Sequence, residues 1–117
     1  MQDFRKIRAW QENRQLIVSV YRSTERFQAS ERFGLTSQLR RATVGIGAAI
    51  AEGCGRRTRA DTLNFFQVAF SSATEVLHHL ITSTDLGYLS AEQFDSLEAQ
   101  LGAVRRMIAG FMKKLGG

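Results

Sequence analysis

The sequence predicts an all-α fold, an antiparallel up-down-up-down four-helix bundle, and three observations carry that expectation. Apolar residues recur at alternating three- and four-residue steps over four successive stretches, the spacing that lines one face of an α-helix. Proline is absent from all 117 residues, so no ring interrupts a helix by removing an amide donor. The breaks between stretches are short, which makes successive helices antiparallel neighbours. The length suits one domain, residues 1–117, around one core.

The first helix is expected near 7–27, with Ile7, Trp10, Ile17, Tyr21 and Thr24 on its main stripe and Leu16, Val20 and Phe27 flanking it. Glu31 to Gly34 precede a second helix near 35–53, striped by Leu35, Leu39, Ala42, Ile46 and Ala49 and broken by Gly53-Cys54-Gly55. Gly45, Gly47, Ala48, Ala49 and Ala51 crowd this helix, although an interior glycine costs about 1 kcal/mol relative to alanine. Close approach by a neighbouring helix is the expected compensation.

Thr58 with Asp61 is a modest start signal for a third helix near 59–86, which carries Leu63, Phe66, Phe70, Ala73, Leu77, Leu80 and Thr84. Gly87 suits the left-handed residue that ends it. Ser90 and Gln93 form a capping box for a fourth helix near 90–115, striped by Phe94, Leu97, Leu101, Val104, Ile108, Phe111 and Leu115.

The single Cys54 excludes an intramolecular disulfide and a cysteine-built zinc site. The opening Met1 to Lys6 lacks the apolar stretch of a signal peptide. The longest near-apolar run, Val44 to Ala51, falls far short of the roughly 20 residues that span a bilayer. A cytoplasmic protein without a membrane partner is expected.

The run Leu35-Thr36-Ser37-Gln38-Leu39-Arg40-Arg41-Ala42, continuing through Ile50-Ala51-Glu52-Gly53 to Gly55-Arg56, resembles the four-helix-bundle family of intervening-sequence proteins. Such proteins are encoded within some bacterial large-subunit ribosomal RNA genes. Ala9-Trp10-Gln11, Val20-Tyr21, Phe27, Glu31 to Leu35, Ser72 to Glu75 and Leu86 to Leu89 extend the resemblance over nearly the whole chain. The accessory variability protein of diversity-generating retroelements looks like a relative. The resemblance implies a homopentamer of bundles without catalytic activity. For the retroelement relative it also implies a basic accessory that binds a reverse transcriptase and nucleic acid. Against the family pattern, Gln28 and Gly47 stand where prolines are usual, and Gly45 and Ala49 where serine and asparagine are expected.

Charge is unevenly spread. Residues 1–59 carry twelve Lys/Arg against five Asp/Glu, residues 60–104 none against six, and residues 105–117 four against none, for a net +5. An up-down bundle brings the chain start, the turn between helices two and three, and the chain end to one pole. That pole should collect Arg5, Lys6, Arg8, Arg56, Arg57, Arg59, Lys113 and Lys114, with Arg105 and Arg106 further up the last helix. The opposite pole holds Glu25, Glu31, Asp85, Glu92 and Asp95, diluted by Arg26 and Arg32. Clustered lysine and arginine displace condensed counterions from phosphate backbones, so RNA or DNA is the expected partner and Arg56 and Arg57 its first contacts. A solvated charged end without a ligand is the alternative.

Gly53 to Arg57 before a helix start also invites comparison with an anion-cradling loop. It lacks the strand and spacing of a phosphate-binding loop, so a plain turn is the better expectation. Cys54 beside arginines suggests a lowered pKa, although a lone cysteine is usually an inert small hydrophobe.

Catalysis has one candidate constellation. Glu75-x-x-His78 is half of a di-iron carboxylate site, but the chemistry needs a second such step. The only other histidine, His79, points about 100° away on a helix. No metal, cofactor or enzyme activity is expected, and Glu75 is expected to pair at a helix or subunit interface. Finally, Phe65, Val68, Ala69 and Val76 lie off the main stripe of the third helix, and Trp10 and Leu16 widen the apolar surface of the first, which makes these residues candidates for a self-association surface.

Overall fold

The computed structural model describes residues 2–116. Its four α-helices are α1 (Arg8–Thr24), α2 (Leu35–Cys54), α3 (Arg59–Asp85) and α4 (Ala91–Lys114), with short 3-10 turns at Phe4–Lys6 and Ala29–Glu31. Each helix packs against two others in the cyclic order α1, α2, α3, α4, so the fold is the expected up-down bundle, about 43 × 24 × 19 Å. No helix among the described residues is long and apolar enough to cross a membrane.

The caps form as their chemistry requires. Ser90 Oγ accepts from the Gln93 amide at 3.1 Å while Gln93 Oε1 accepts from the Ser90 amide at 2.9 Å, closing the capping box of α4. Thr58 Oγ1 accepts from the Asp61 amide to start α3. Gly87 takes a φ of 82°, the left-handed conformation that lets the chain leave α3. At the start of α2 the N-cap, Gly34, has no side chain, and Glu31 Oε1 accepts the Leu35 amide instead. The other oxygen of Glu31 accepts from the Tyr88 hydroxyl at 3.0 Å, and Phe27 packs on Tyr88, which ties the two turns of this end together. Turning Phe27 into that contact ends α1 at Thr24, three residues short of the expected boundary.

The core face of α1 follows the expected flanking residues Leu16 and Val20 and keeps only Ile7 and Thr24 of the expected main stripe. Ala9, Asn13, Leu16, Val20 and Thr24 face inward, while Tyr21 is 40% exposed. Two polar members disguise this stripe: Thr24 donates to the Val20 carbonyl of its own helix, and Asn13 Nδ2 donates to the Thr43 carbonyl of α2 at 3.1 Å while its buried Oδ1 has no partner. The inward face of α3 is likewise rotated towards α2, burying Phe66, Ala69, Ala73, Val76, Leu80 and Ser83 and leaving Leu63, Phe70 and Leu77 half-buried.

Small residues on α2 allow this rotation. A Cβ at Gly53 would sit 3.0 Å from Phe65 Cβ and 3.1 Å from the Phe66 ring, and one at Gly47 would sit 3.0 Å from Asn13 Nδ2. At these two positions close approach explains the glycine. Gly45 differs: its nearest neighbour would be Ser72 Oγ at 3.8 Å, so no internal contact requires it. On α4 the expected stripe holds, with Leu97, Leu101, Val104 and Ile108 buried.

Candidate nucleic-acid interface

Antiparallel helices of these lengths bring three remote segments to one end. The amide of Gln2 donates to the Cys54 carbonyl at 3.1 Å, tying the chain start to the end of α2. One cleft there is bordered by Gln2, by Arg56, Arg57 and Arg59 of the α2–α3 turn, and by Phe111 and Leu115 of the chain end. A second groove runs beside it between Lys6 and Arg8 on one side and Met107, Phe111 and Lys114 on the other. Phe111 floors both. The chain start, the turn and the chain end therefore share one basic pole.

Seven of the sequence-derived cations are exposed there: Lys6, Arg8, Arg56, Arg57, Arg59, Lys113 and Lys114. None of them joins an ion pair among the described residues, whose two pairs are Asp3–Arg5 and Glu75–His79. The remaining candidates behave differently. Arg5 is matched by Asp3, with Nε to Oδ1 at 2.9 Å and Nη2 to Oδ2 at 3.0 Å, and this guanidinium holds the Asp3 carboxyl below the usual aspartate range. Arg105 is half-buried on the α3–α4 seam, its guanidinium 5.1 Å from the centre of the Phe70 ring, and does not reach the pole. Arg106 lies back along its own helix towards Gly102.

The Gly53 to Arg57 segment is a plain turn. Two of its amides are consumed internally, Gly55 donating to Glu52 and Arg56 to Gly53, as in an ordinary helix-ending turn. Cys54 is buried, and burial pushes its thiol up rather than down. The suggestion of a lowered pKa is thus corrected: neighbouring arginines point to solvent and the desolvated thiolate is disfavoured. Glu75 does not pair with His78. Its Oε2 meets His79 Nε2 at 3.1 Å, four residues on, and no cluster of three metal-ligating side chains occurs among the described residues.

Two proposed self-association residues are corrected as well. Leu16 and Val76 are 0% exposed within this one chain, because each lies on the true inward stripe of its helix, and Ala69 shares that fate. Trp10 is half-buried against Phe4 and Gly47, and Phe65 is half-buried beneath Arg56. Val68 is 52% exposed and, with Val44 at 42%, leaves apolar surface on the outside of α2 and α3.

Phe111, Leu115 and Gln2 were not apparent from the sequence as parts of the pole. Phe111 and Leu115 read as the last members of a core stripe, and the only hint was that this stripe outruns the cover offered by the other helices.

These features define a four-helix bundle with one cationic end built from three chain segments. The chain belongs to the 23S rRNA-intervening sequence protein family, whose model matches residues 5–110. It is also similar to a crystal structure of a protein with unknown function from the S23 ribosomal protein family of Bacteroides thetaiotaomicron. The TM-score is 0.82 at 21% identity, covering 90% of this chain and 95% of that one, a likeness of fold. A search of the curated proteins found no match.

Proposed function

We propose that this chain is a non-catalytic bundle that serves in the cytoplasm as a nucleic-acid-binding accessory or scaffold, its basic pole lying on phosphate backbones without reading sequence. The observation that carries this reading is the meeting of Lys6, Arg8, Arg56, Arg57, Arg59, Lys113 and Lys114 at one end with no ion-pair partner among the described residues. Cations left unpaired by the protein are available to displace counterions, and several together give a steep salt dependence. A reverse transcriptase is a further partner in this reading, by likeness to the retroelement accessory protein.

Fluorescence anisotropy with labelled RNA and DNA across a salt series tests the proposal. Affinity should fall steeply with salt, and Arg56→Glu/Arg57→Glu should weaken binding about tenfold or more at low salt and flatten the slope. Affinity indifferent to salt, or unchanged in the double variant, would refute it.

Exposed Val44 and Val68 support a second reading, a self-assembling structural module that needs no nucleic acid, a homopentamer by family resemblance. Native mass spectrometry decides this independently: a strict monomer at micromolar concentration contradicts it.

A further inference from the structure

The pole is concave and has an aromatic ring, Phe111, in its lining, which a surface that only tracks phosphates does not need. Between the α2–α3 turn and the end of α4 lies a cleft of about 160 Å3, with Phe111 and Leu115 on its apolar side and Arg56, Arg57 and Arg59 at its rim. Phe111 continues inward as a stack on Phe66, ring centres 4.5 Å apart and 18° from parallel. Arg56 is held over the Phe65 ring at 4.8 Å. Arginine stacking recurs through the chain: five such contacts occur among the described residues, against roughly one per 75 residues in proteins generally. The Arg56 guanidinium is therefore held at an aromatic ring rather than free in solvent. Gln2 borders the same cleft.

A duplex offers this surface phosphates, sugars and groove edges but no free ring face, because its bases are stacked. An unpaired nucleotide offers a flat apolar ring with a phosphate on either side, the combination that aromatic side chains and arginine planes recognise. The dimensions select one ring: an apolar cavity of about 150 Å3 takes a benzene molecule, so the cleft admits a single base and not a base pair. We propose that the basic pole takes unpaired nucleotides in preference to duplex. One base enters the Phe111–Leu115 cleft between the three arginines, and neighbouring phosphates lie on Lys6, Arg8 and Lys114. The inference rests on the nucleic-acid reading above and names its substrate class, base plus phosphate of a single strand, which RNA and DNA share.

The test compares equilibrium binding of the full chain to labelled oligouridine, oligothymidine and an RNA duplex, each about 15 nucleotides or base pairs long so as to cover one binding site. At one salt concentration a single strand should bind about fivefold tighter than the duplex or more, the low end of what one stacked base is worth. Oligouridine tighter than oligothymidine supports the proposal with RNA as the ligand, and the reverse supports it with DNA.

Leu115→Trp fills the cleft without changing charge, and should abolish the preference of strand over duplex. Arg56→Lys keeps the charge and loses the plane. It should weaken single-strand binding about threefold or more with the salt slope intact, and it decides the matter should Leu115→Trp fail to fold. Equal affinity for strand and duplex would overturn this inference and leave the phosphate reading standing. No binding of any probe at low salt would overturn both. A preference that survives in the folded Leu115→Trp protein would overturn the cleft as its seat.

Discussion

Glycine-to-alanine substitutions along α2 give a test in which one chemical change has opposite signs at different positions. Each replacement in a helix interior gains about 1 kcal/mol in propensity. Whether the gain survives depends on what the new methyl meets. At Gly45 the methyl would lie 3.8 Å from Ser72 Oγ, ordinary contact, so Gly45→Ala should stabilise by about 0.8 kcal/mol.

At Gly53 it would lie 3.0 Å from Phe65 Cβ and 3.1 Å from the Phe66 ring. Phe65 Cβ is fixed to the α3 backbone, and Phe66 is 0% exposed and stacked on Phe111, so neither can swing aside. Overpacking of this kind costs about 1–3 kcal/mol. The net for Gly53→Ala is then a loss of about 1 kcal/mol. Gly47→Ala falls between, because the atom met at 3.0 Å is the end of the Asn13 side chain, which is tethered to Thr43 but not to a backbone of its own.

For a chain of 117 residues, 1 kcal/mol moves the midpoint about 4 °C. Thermal unfolding followed by circular dichroism should therefore place Gly45→Ala about 3 °C above and Gly53→Ala about 4 °C below the parent. A Gly53→Ala protein as stable as Gly45→Ala would refute the argument that close approach of α3 imposes the glycine.

Three further outcomes follow from single contacts. Ser90→Ala removes one half of the capping box of α4 and should cost about 1 kcal/mol in urea denaturation, with the m-value unchanged. Phe66→Ala empties the stack on Phe111 at the centre of the bundle and should cost about 3–5 kcal/mol, read in the same titration. Tyr88 ionises above the usual tyrosine range because partial burial and the Glu31 carboxylate both oppose a phenolate. A raised folded-state pKa adds stability that is present below the ordinary tyrosine pKa and lost as pH rises through the raised one. Tyr88→Phe should thus melt below the parent at neutral pH, and the difference should vanish at strongly alkaline pH.

Local chemistry in the sequence determined much of this protein. The number of helices and three of their four spans follow from spacing and capping residues, because a three- or four-residue apolar repeat can bury its side chains on only one face. The distribution of charge follows too: once four helices must run up and down, segments far apart in sequence are forced to one end, and Lys6, Arg8, Arg56, Arg57 and Arg59 need only that topology to meet Lys113 and Lys114.

Tertiary structure decided which of two adjacent stripes each helix turns inward. Ala9, Asn13, Leu16, Val20 and Thr24 read as an interrupted pattern until the Thr43 carbonyl is seen to receive Asn13, since a polar residue counts as core only when a partner on another helix satisfies it. Val76 looked like spare surface because nothing in the local pattern tells how closely α3 can approach the small face of α2. The cleft at the basic pole has the same origin. Phe111 and Leu115 belong to a regular core stripe, and they become its apolar side because the end of α4 lies beside the α2–α3 turn, a matter of relative helix ends. Periodicity sets what a helix can bury; the packing of one backbone against another sets what it does bury, and what it leaves open to a ligand.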